Sequence, residues 1–143
     1  MTSLPDDAGC TEGFQPLFRT NPLLDATGPY FYKPMEDGFV VGLRVQDKHT
    51  NASGTIHGGL VAALADVSIG YVTSMSKTPA LRMMTASLTI DYVGTVKMGD
   101  WVEAHVSIVK TERRLAFANA VIKVGATPVA SAGAVFLVLD DNG

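Results

Sequence analysis

His57-Gly58-Gly59 opens an apolar run that holds a single carboxylate, Asp66, and Asn51 lies six residues ahead of the histidine. The run from Leu60 through Asp66 to Val72 reads as a helix that is apolar on nearly every side, the pattern of a buried helix. An ionised carboxylate in such a place is expensive unless a partner or hydrogen bonds hold it. Glycines at a helix start allow close backbone approach, and the N–H groups of a first turn have no internal acceptors. At the positive end of the helix dipole such donors hold an anion or a polarised carbonyl oxygen. A carboxylate, a set of amide donors and an asparagine side chain are the inventory of a hydrolytic site.

Spacing forbids one chain from assembling it. His57 and Asp66 are nine residues apart, which at ~1.5 Å per residue is roughly 13 Å along a helix and about half a turn out of phase. If both serve one site, Asp66 comes from a second copy of the protein. Two-fold dimers repeat every contact twice, so the expectation is a homodimer with two composite sites.

The chain around this block has 143 residues, 47% hydrophobic and 17% charged, enough for one domain with a proper core. A net charge of −3 provides no basic field for nucleic acid. Cys10 is the single cysteine and has no internal disulfide partner, which fits a reducing cytoplasm. Met1–Gly13 is polar and acidic, without the basic and apolar regions of a secretory signal. The apolar block Gly58–Met75 is interrupted by Asp66, serines and glycines and has no basic flank before Lys77, so it reads as a core helix and not as a membrane span.

The elements that must position these residues follow from periodicity. Residues 1–30 carry four prolines and little pattern and read as an N-terminal arm with a short helical piece near Gln15–Leu24. Tyr30–Lys33 and Phe39–Gln46 read as strands, with Asp37-Gly38 as the turn between them. After the helix, Ser76-Lys-Thr-Pro79 is the stop signal. Alternation then places Met84, Ala86, Leu88, Ile90 and Tyr92 on one face and Thr85, Ser87, Thr89 and Asp91 on the other. Val102–Ile108, Leu115–Val124 and Pro128–Leu139 complete a run of four strands, the last two split at Gly125. Short turns make neighbouring strands antiparallel, and the helix covers one face of their sheet. The expected architecture is α+β, an antiparallel sheet wrapped around one long central helix over residues 31–143.

Gly54-Thr-Ile-His57-Gly58-Gly59 with Asn51 before it and Asp66 after it, Thr85–Tyr92, Gly99-Asp100, Arg113-Arg114-Leu-Ala-Phe117 and Val129–Phe136 together resemble the hotdog-fold acyl-CoA thioesterases, specifically the phenylacetic-acid-degradation (4-hydroxybenzoyl-CoA thioesterase-like) type. The resemblance runs from about Pro34 to the end. It implies a dimer whose sheets join edge to edge, often paired again into a homotetramer, with active sites at the dimer interface. It implies Asp66 as general base or nucleophile, and Gly58 donating its N–H to the thioester carbonyl. Asn51 would hold water or the thioester, and Thr85 supplies an assisting hydroxyl. His57 anchors the loop or holds substrate. No cofactor is implied beyond the coenzyme A of the substrate. Two departures stand out: Val93-Gly94-Thr95-Val96 replaces an Arg-Pro-Ala turn, and Glu112 replaces a glycine.

The mechanism expected is a thioester carbonyl polarised by the Gly58 and Gly59 amides and Asp66 of the partner activating water or attacking directly. The acyl group is an aryl or medium-chain one, with Tyr71, Val72 and Met75 as candidate pocket wall. Coenzyme A lies at the surface with Arg113, Arg114 or Lys110 near its phosphates. His49 and His105 show no metal-ligand spacing. Two other functions fit the same fold: a non-catalytic acyl-CoA-binding sensor, and a hotdog hydratase or dehydratase. The presence of Asp66 argues against the sensor, and the place of His57 ahead of the helix argues against the hydratase.

Overall fold

The computed structural model describes residues 10–140. Met1–Gly9, the first part of the expected arm, and Asp141–Gly143 lie outside the described residues. The elements in order are β1 (Gln15–Pro16), α1 (Pro22–Thr27), β2 (Phe31–Pro34), β3 (Phe39–Arg44), a 3-10 turn (Asp47–His49), α2 (Gly58–Ser74), β4 (Met83–Tyr92), β5 (Trp101–Thr111), β6 (Leu115–Val124) and β7 (Thr127–Val138). The seven strands form one antiparallel sheet in the order β1-β2-β3-β5-β6-β7-β4. The connection through α2 therefore crosses the whole sheet and leaves β4 as its far edge, paired only with β7.

The segment before Tyr30 is more ordered than its prolines suggest. Gln15–Pro16 pairs with β2, and the short helix lies further along than expected, at Pro22–Thr27. Asn21 is the reason: its Oδ1 accepts from the Leu24 N–H at 3.0 Å, and Pro22 occupies the first helical position, where a missing N–H costs nothing. Leu24 and Tyr30 bury themselves in the core.

The sheet comes close to α2 because its inner face is lined with small residues. Ala104 on β5, Ala116, Ala118 and Ala120 on β6, and Ala130, Ala132 and Ala134 on β7 are all buried. Val61, Leu64, Ala65 and Ile69 of the helix pack with them in one core cluster that also holds Leu43, Val102, Ile122 and Phe136. The β6–β7 hairpin closes over Gly125-Ala126, with Gly125 at φ +59°, a conformation glycine takes without steric penalty. At the far end, Ser76 Oγ donates to the Thr73 carbonyl at 2.6 Å and Met75 caps the helix, so α2 stops at Ser74. Thr73 is fully buried, and its hydroxyl has no hydrogen-bond partner among the described residues.

Two expectations fail, each for a local reason. The helix is not buried on every side. Its sheet-facing residues are buried, while Ala62, Ala63, Asp66, Val67 and Gly70 are half-exposed and Gly59 is exposed, because a single sheet covers only one side. Strict alternation along β4 also fails. Thr85 pairs with Phe136, but Ser87 pairs with the next residue back, Val135, so Ala86 is an extra residue in a β-bulge. The bulge reverses the pleat between Thr85 and Leu88. Thr85 therefore shares the helix-facing side with Leu88, Ile90 and Tyr92, whose partners Ala134, Ala132 and Ala130 are buried. Met84 and Ala86 leave that side.

Candidate active site

Asp66 is the middle residue of α2, half-exposed, on the face that the sheet leaves open. The Thr85 hydroxyl donates to its Oδ1 at 2.8 Å. The bulge at Ala86 makes this contact, since without it Thr85 would face away from the helix. The neighbours of Asp66 on that face, Gly59, Ala62, Ala63 and Gly70, are small and leave the carboxylate open to approach.

The helix start is a separate cluster. His57 is the N-cap with extended backbone (φ −68°, ψ 136°), and its Nδ1 accepts from the Gly59 N–H at 2.8 Å. In the neutral ring this assigns the proton to Nε2. The Gly59 amide is thus taken by the cap and is not a free donor beside Gly58, which corrects the two-amide cradle expected from the sequence. The Leu60 and Val61 N–H groups both donate to the His57 carbonyl. The Gly58 N–H has no acceptor among the described residues and is the donor left over.

Tyr92, at the end of β4, completes this cluster and was not singled out by the sequence except as a face residue. Its hydroxyl donates to the Gly58 carbonyl at 2.7 Å. Its ring packs so closely that a Cβ on residue 58 would lie 3.3 Å from the ring and the hydroxyl. Glycine at 58 is thus a matter of space for Tyr92. The signal was the Asp91-Tyr92 pair closing the strand, which alternation alone ranks as packing.

Beneath the cap lies a second residue that spacing did not reveal. His49 is 1% exposed; its Nδ1 accepts from the Gln46 N–H at 2.9 Å and its Nε2–H donates to the Thr27 carbonyl at 2.6 Å. Its own carbonyl accepts the His57 N–H at 2.8 Å. Burial holds the His49 imidazole below its ordinary pKa of 6.5, the Thr27 hydrogen bond opposing this and Lys48 adding to it. A neutral buried ring thus ties α1, the 3-10 turn and the start of α2 together.

Asn51 stands exposed in the loop before His57. Its Oδ1 accepts from the Ser53 and Thr55 amides at 2.9 and 3.3 Å, and its Nδ2 donates to Thr55 Oγ1 at 3.0 Å. The side chain holds its own loop. Arg113 and Arg114 are exposed at the β5–β6 tip, and Lys110 pairs with Glu112 at 3.1 Å. Val72 and Met75 line an open cavity of about 860 Å³ with Phe39, Val106 and Ile108, whereas Tyr71 joins a ring cluster with Phe18. At about 100° per residue, Met75 lies on the opposite side of the helix from Asp66, so this cavity does not open onto that carboxylate. Among the described residues no group of three or more His, Cys, Asp or Glu could hold a metal, and no helix is long and apolar enough to cross a membrane.

One chain thus brings together Asp66 with Thr85, and His57 with Gly58 and Tyr92, but not the two groups with each other. Eight residues of helix separate Gly58 from Asp66, about 12 Å.

Comparison with known proteins identifies the family. The Thioesterase superfamily matches residues 53–130, which span the His57 cap, Asp66 and all of β4 to β6. The Pseudomonas aeruginosa protein named "Putative esterase PA0474" is 47% identical over 126 residues, covering 87% of this chain and 94% of its own. Acyl-coenzyme A thioesterase 13 of Mus musculus is 34% identical over 77 residues, 54% of each chain. A hypothetical thioesterase of Streptococcus pneumoniae solved with coenzyme A is 26% identical and superposes with a TM-score of 0.70 over 77% of this chain and 85% of its own. The chain belongs to the thioesterase superfamily, and it is a thioester hydrolase built on the hotdog fold.

Proposed function

We propose that the protein is an acyl-CoA thioesterase whose sites are shared between two chains. The observation that carries this is the division of β4. Thr85, holding Asp66, lies near one end of the strand, and Tyr92, holding Gly58, lies at the other. β4 is also the open edge of the sheet, with ten residues and no proline. Long unprotected edges invite a second strand. Pairing β4 with its own copy, antiparallel about its midpoint, lays the Asp66 end of each chain beside the Gly58 end of the other. That single operation generates both complete sites, and a further pairing of dimers gives the homotetramer that the sequence resemblance implies.

In each site the thioester carbonyl takes a hydrogen bond from the Gly58 N–H of one chain, which stabilises the negative charge developing on oxygen. Asp66 of the other chain, oriented through Oδ1 by Thr85, uses its free oxygen to take a proton from water. The water oxygen bonds to the carbonyl carbon, the C–S bond breaks, and the proton passes to the departing thiolate. Direct attack by the carboxylate is the variant route. Asn51 and His57 shape the loop beside the carbonyl. The substrate class is an aryl or medium-chain acyl-CoA in a reducing cytoplasm, following the phenylacetic-acid-degradation type that the motifs resemble. The name of the Mus musculus relative and the coenzyme A held by the Streptococcus pneumoniae structure support the acyl-CoA class.

The test is free-thiol release from a panel of aryl- and alkyl-CoA thioesters by wild type and Asp66→Asn. The amide keeps the acceptor for Thr85 but cannot take a proton, so turnover falls by about 10²–10⁴-fold. Full activity in the variant removes Asp66 from the chemistry. Coenzyme A binding with no turnover on any thioester by the wild type leaves the acyl-CoA-binding sensor.

A further inference from the structure

The amide donor left over at the start of α2 belongs to a peptide plane that is held from two sides. The His57 carbonyl accepts the Leu60 and Val61 N–H groups at 2.9 and 3.3 Å. The 57–58 peptide is trans, so its carbonyl and its N–H point opposite ways. These bonds therefore aim the Gly58 N–H outward from the helix end. They set its direction. Its place depends on where α2 begins, and that start is tied by the His57 N–H, which donates to the His49 carbonyl at 2.8 Å. The loop between the two histidines is closed at its base, with Thr50 bridging Ile56 and the Asn51 N–H donating to the Thr55 carbonyl at 2.8 Å.

The turn that carries His49 has bonds of its own that do not involve the imidazole. The His49 and Thr50 N–H groups donate to the Gln46 and Asp47 carbonyls at 2.9 and 3.0 Å, and Thr50 Oγ1 donates to the Asp47 carbonyl at 2.8 Å. What the imidazole adds is an anchor to a residue 22 positions upstream. Because Nδ1 accepts the Gln46 N–H at 2.9 Å, the proton lies on Nε2 and is donated to the Thr27 carbonyl at 2.6 Å. Thr27 ends α1 and is itself held. Its hydroxyl donates to the Leu23 carbonyl and accepts from the Tyr30 hydroxyl, both at 2.8 Å. Leu24 and Tyr30 seat this segment in the core. The His49 ring is buried, so it cannot exchange these partners for water without opening the structure.

We propose that His49 is a positioning residue for the reaction. Its ring anchors the 46–49 turn to α1, so that the His49 carbonyl holds the start of α2, and with it the Gly58 N–H, where the thioester oxygen arrives. The segment ahead of Tyr30 thereby acts on the site without touching substrate. The use of that N–H rests on the thioesterase reading above; the path from Thr27 to His57 rests on the hydrogen bonds alone. A donor displaced by a fraction of an ångström loses more of its fit to the developing oxyanion than of its contact with the ground-state carbonyl. Loss of the anchor should therefore lower kcat and spare KM.

Two amides separate the two bonds of the ring. In His49→Gln the side-chain NH2 reaches the place of Nε2 and keeps the donor to Thr27. In His49→Asn the amide is one bond shorter, keeps the acceptor beside Gln46 and gives up Thr27. The experiment pairs steady-state kinetics on one acyl-CoA with 15N–1H spectra of the free protein, for wild type and both variants, at a temperature where circular dichroism shows all three folded. The expected result for the Asn variant is a kcat lower by about tenfold at unchanged KM, with displaced His57 and Gly58 amide signals. That loss is smaller than the roughly 10²–10³-fold for a donor removed outright. The Gln variant should restore most of both. Wild-type kcat in the Asn variant overturns the proposal whatever its melting temperature, and so do unmoved Gly58 signals or equal losses in the two variants. Failure of the thioesterase reading looks different: the wild type hydrolyses no thioester, while the Gly58 signal still moves with Asn and returns with Gln.

Discussion

The Thr85 hydroxyl reaches Asp66 at 2.8 Å because one extra residue, Ala86, reverses the pleat of β4 just after it. The functional contact and the irregularity of the strand are the same feature. Thr85→Val removes the donor while keeping shape. Turnover should fall about tenfold, the loss of one charge-assisted hydrogen bond of roughly 1.4 kcal/mol, and Thr85→Ser should restore most of it. Steady-state kinetics on one acyl-CoA decides this, and unchanged kcat in the valine variant would remove Thr85 from the site.

Gly58 offers a cleaner deletion than most backbone donors. It is the first residue of α2, its N–H has no acceptor within the chain, and His57 before it is already extended. Proline suits that position, and its neighbour's conformation suits proline. Gly58→Pro should therefore fold, with a small adjustment of Tyr92, and lose about 10²–10³-fold in kcat with the missing donor. Mixing it with Asp66→Asn gives the sharper result. Exchanged dimers contain one site with both defects and one with neither, so two inactive proteins should regain activity on mixing. No regain after confirmed subunit exchange sinks the shared-site geometry.

Tyr92→Phe removes the hydrogen bond to the Gly58 carbonyl and leaves the ring in place. The first turn of α2 is then held less firmly, at a cost of about 1 kcal/mol in stability. The activity readout is a lower kcat with little change in KM, because the amide meets the oxygen best as charge develops. Equal effects on both parameters, or none, would assign Tyr92 to packing alone.

Acid should weaken the fold through His49. Its folded pKa lies below the ordinary 6.5, chiefly through burial, so between those two values the unfolded chain binds more protons than the folded one. The stabilisation is complete above about pH 6.5 and is lost as pH falls through the window beneath it. Protonation places a hydrogen on the Nδ1 that accepts the Gln46 N–H, breaking the tie under the His57 cap. Melting temperatures from pH 8 to pH 5 should drop in the wild type. His49→Gln should melt lower throughout but with a flatter slope, and a parallel slope would place the titration elsewhere.

Much of this was legible beforehand, and the exceptions share a cause. Gly58 and the Ser76–Pro79 stop bounded α2 because caps and breakers are local signals. Gly125 marked the β6–β7 hairpin for the same reason. Asp66 stood out as a charge within an apolar run. The side of β4 that Thr85 faces was not legible, since a bulge depends on the register with β7 and leaves no mark on composition. The pairing of Gln15–Pro16 with β2 is likewise a product of distant segments.

Thr73 keeps a hydroxyl in the closed end of the core, with no partner among the described residues. Valine has nearly the same outline and no polar atom to desolvate, so Thr73→Val should raise stability by about 1 kcal/mol. The fold therefore retains a margin of heat tolerance that one exchange of oxygen for carbon would release, about two helical turns along α2 from Asp66, which suits a protein held only as robust as its work demands.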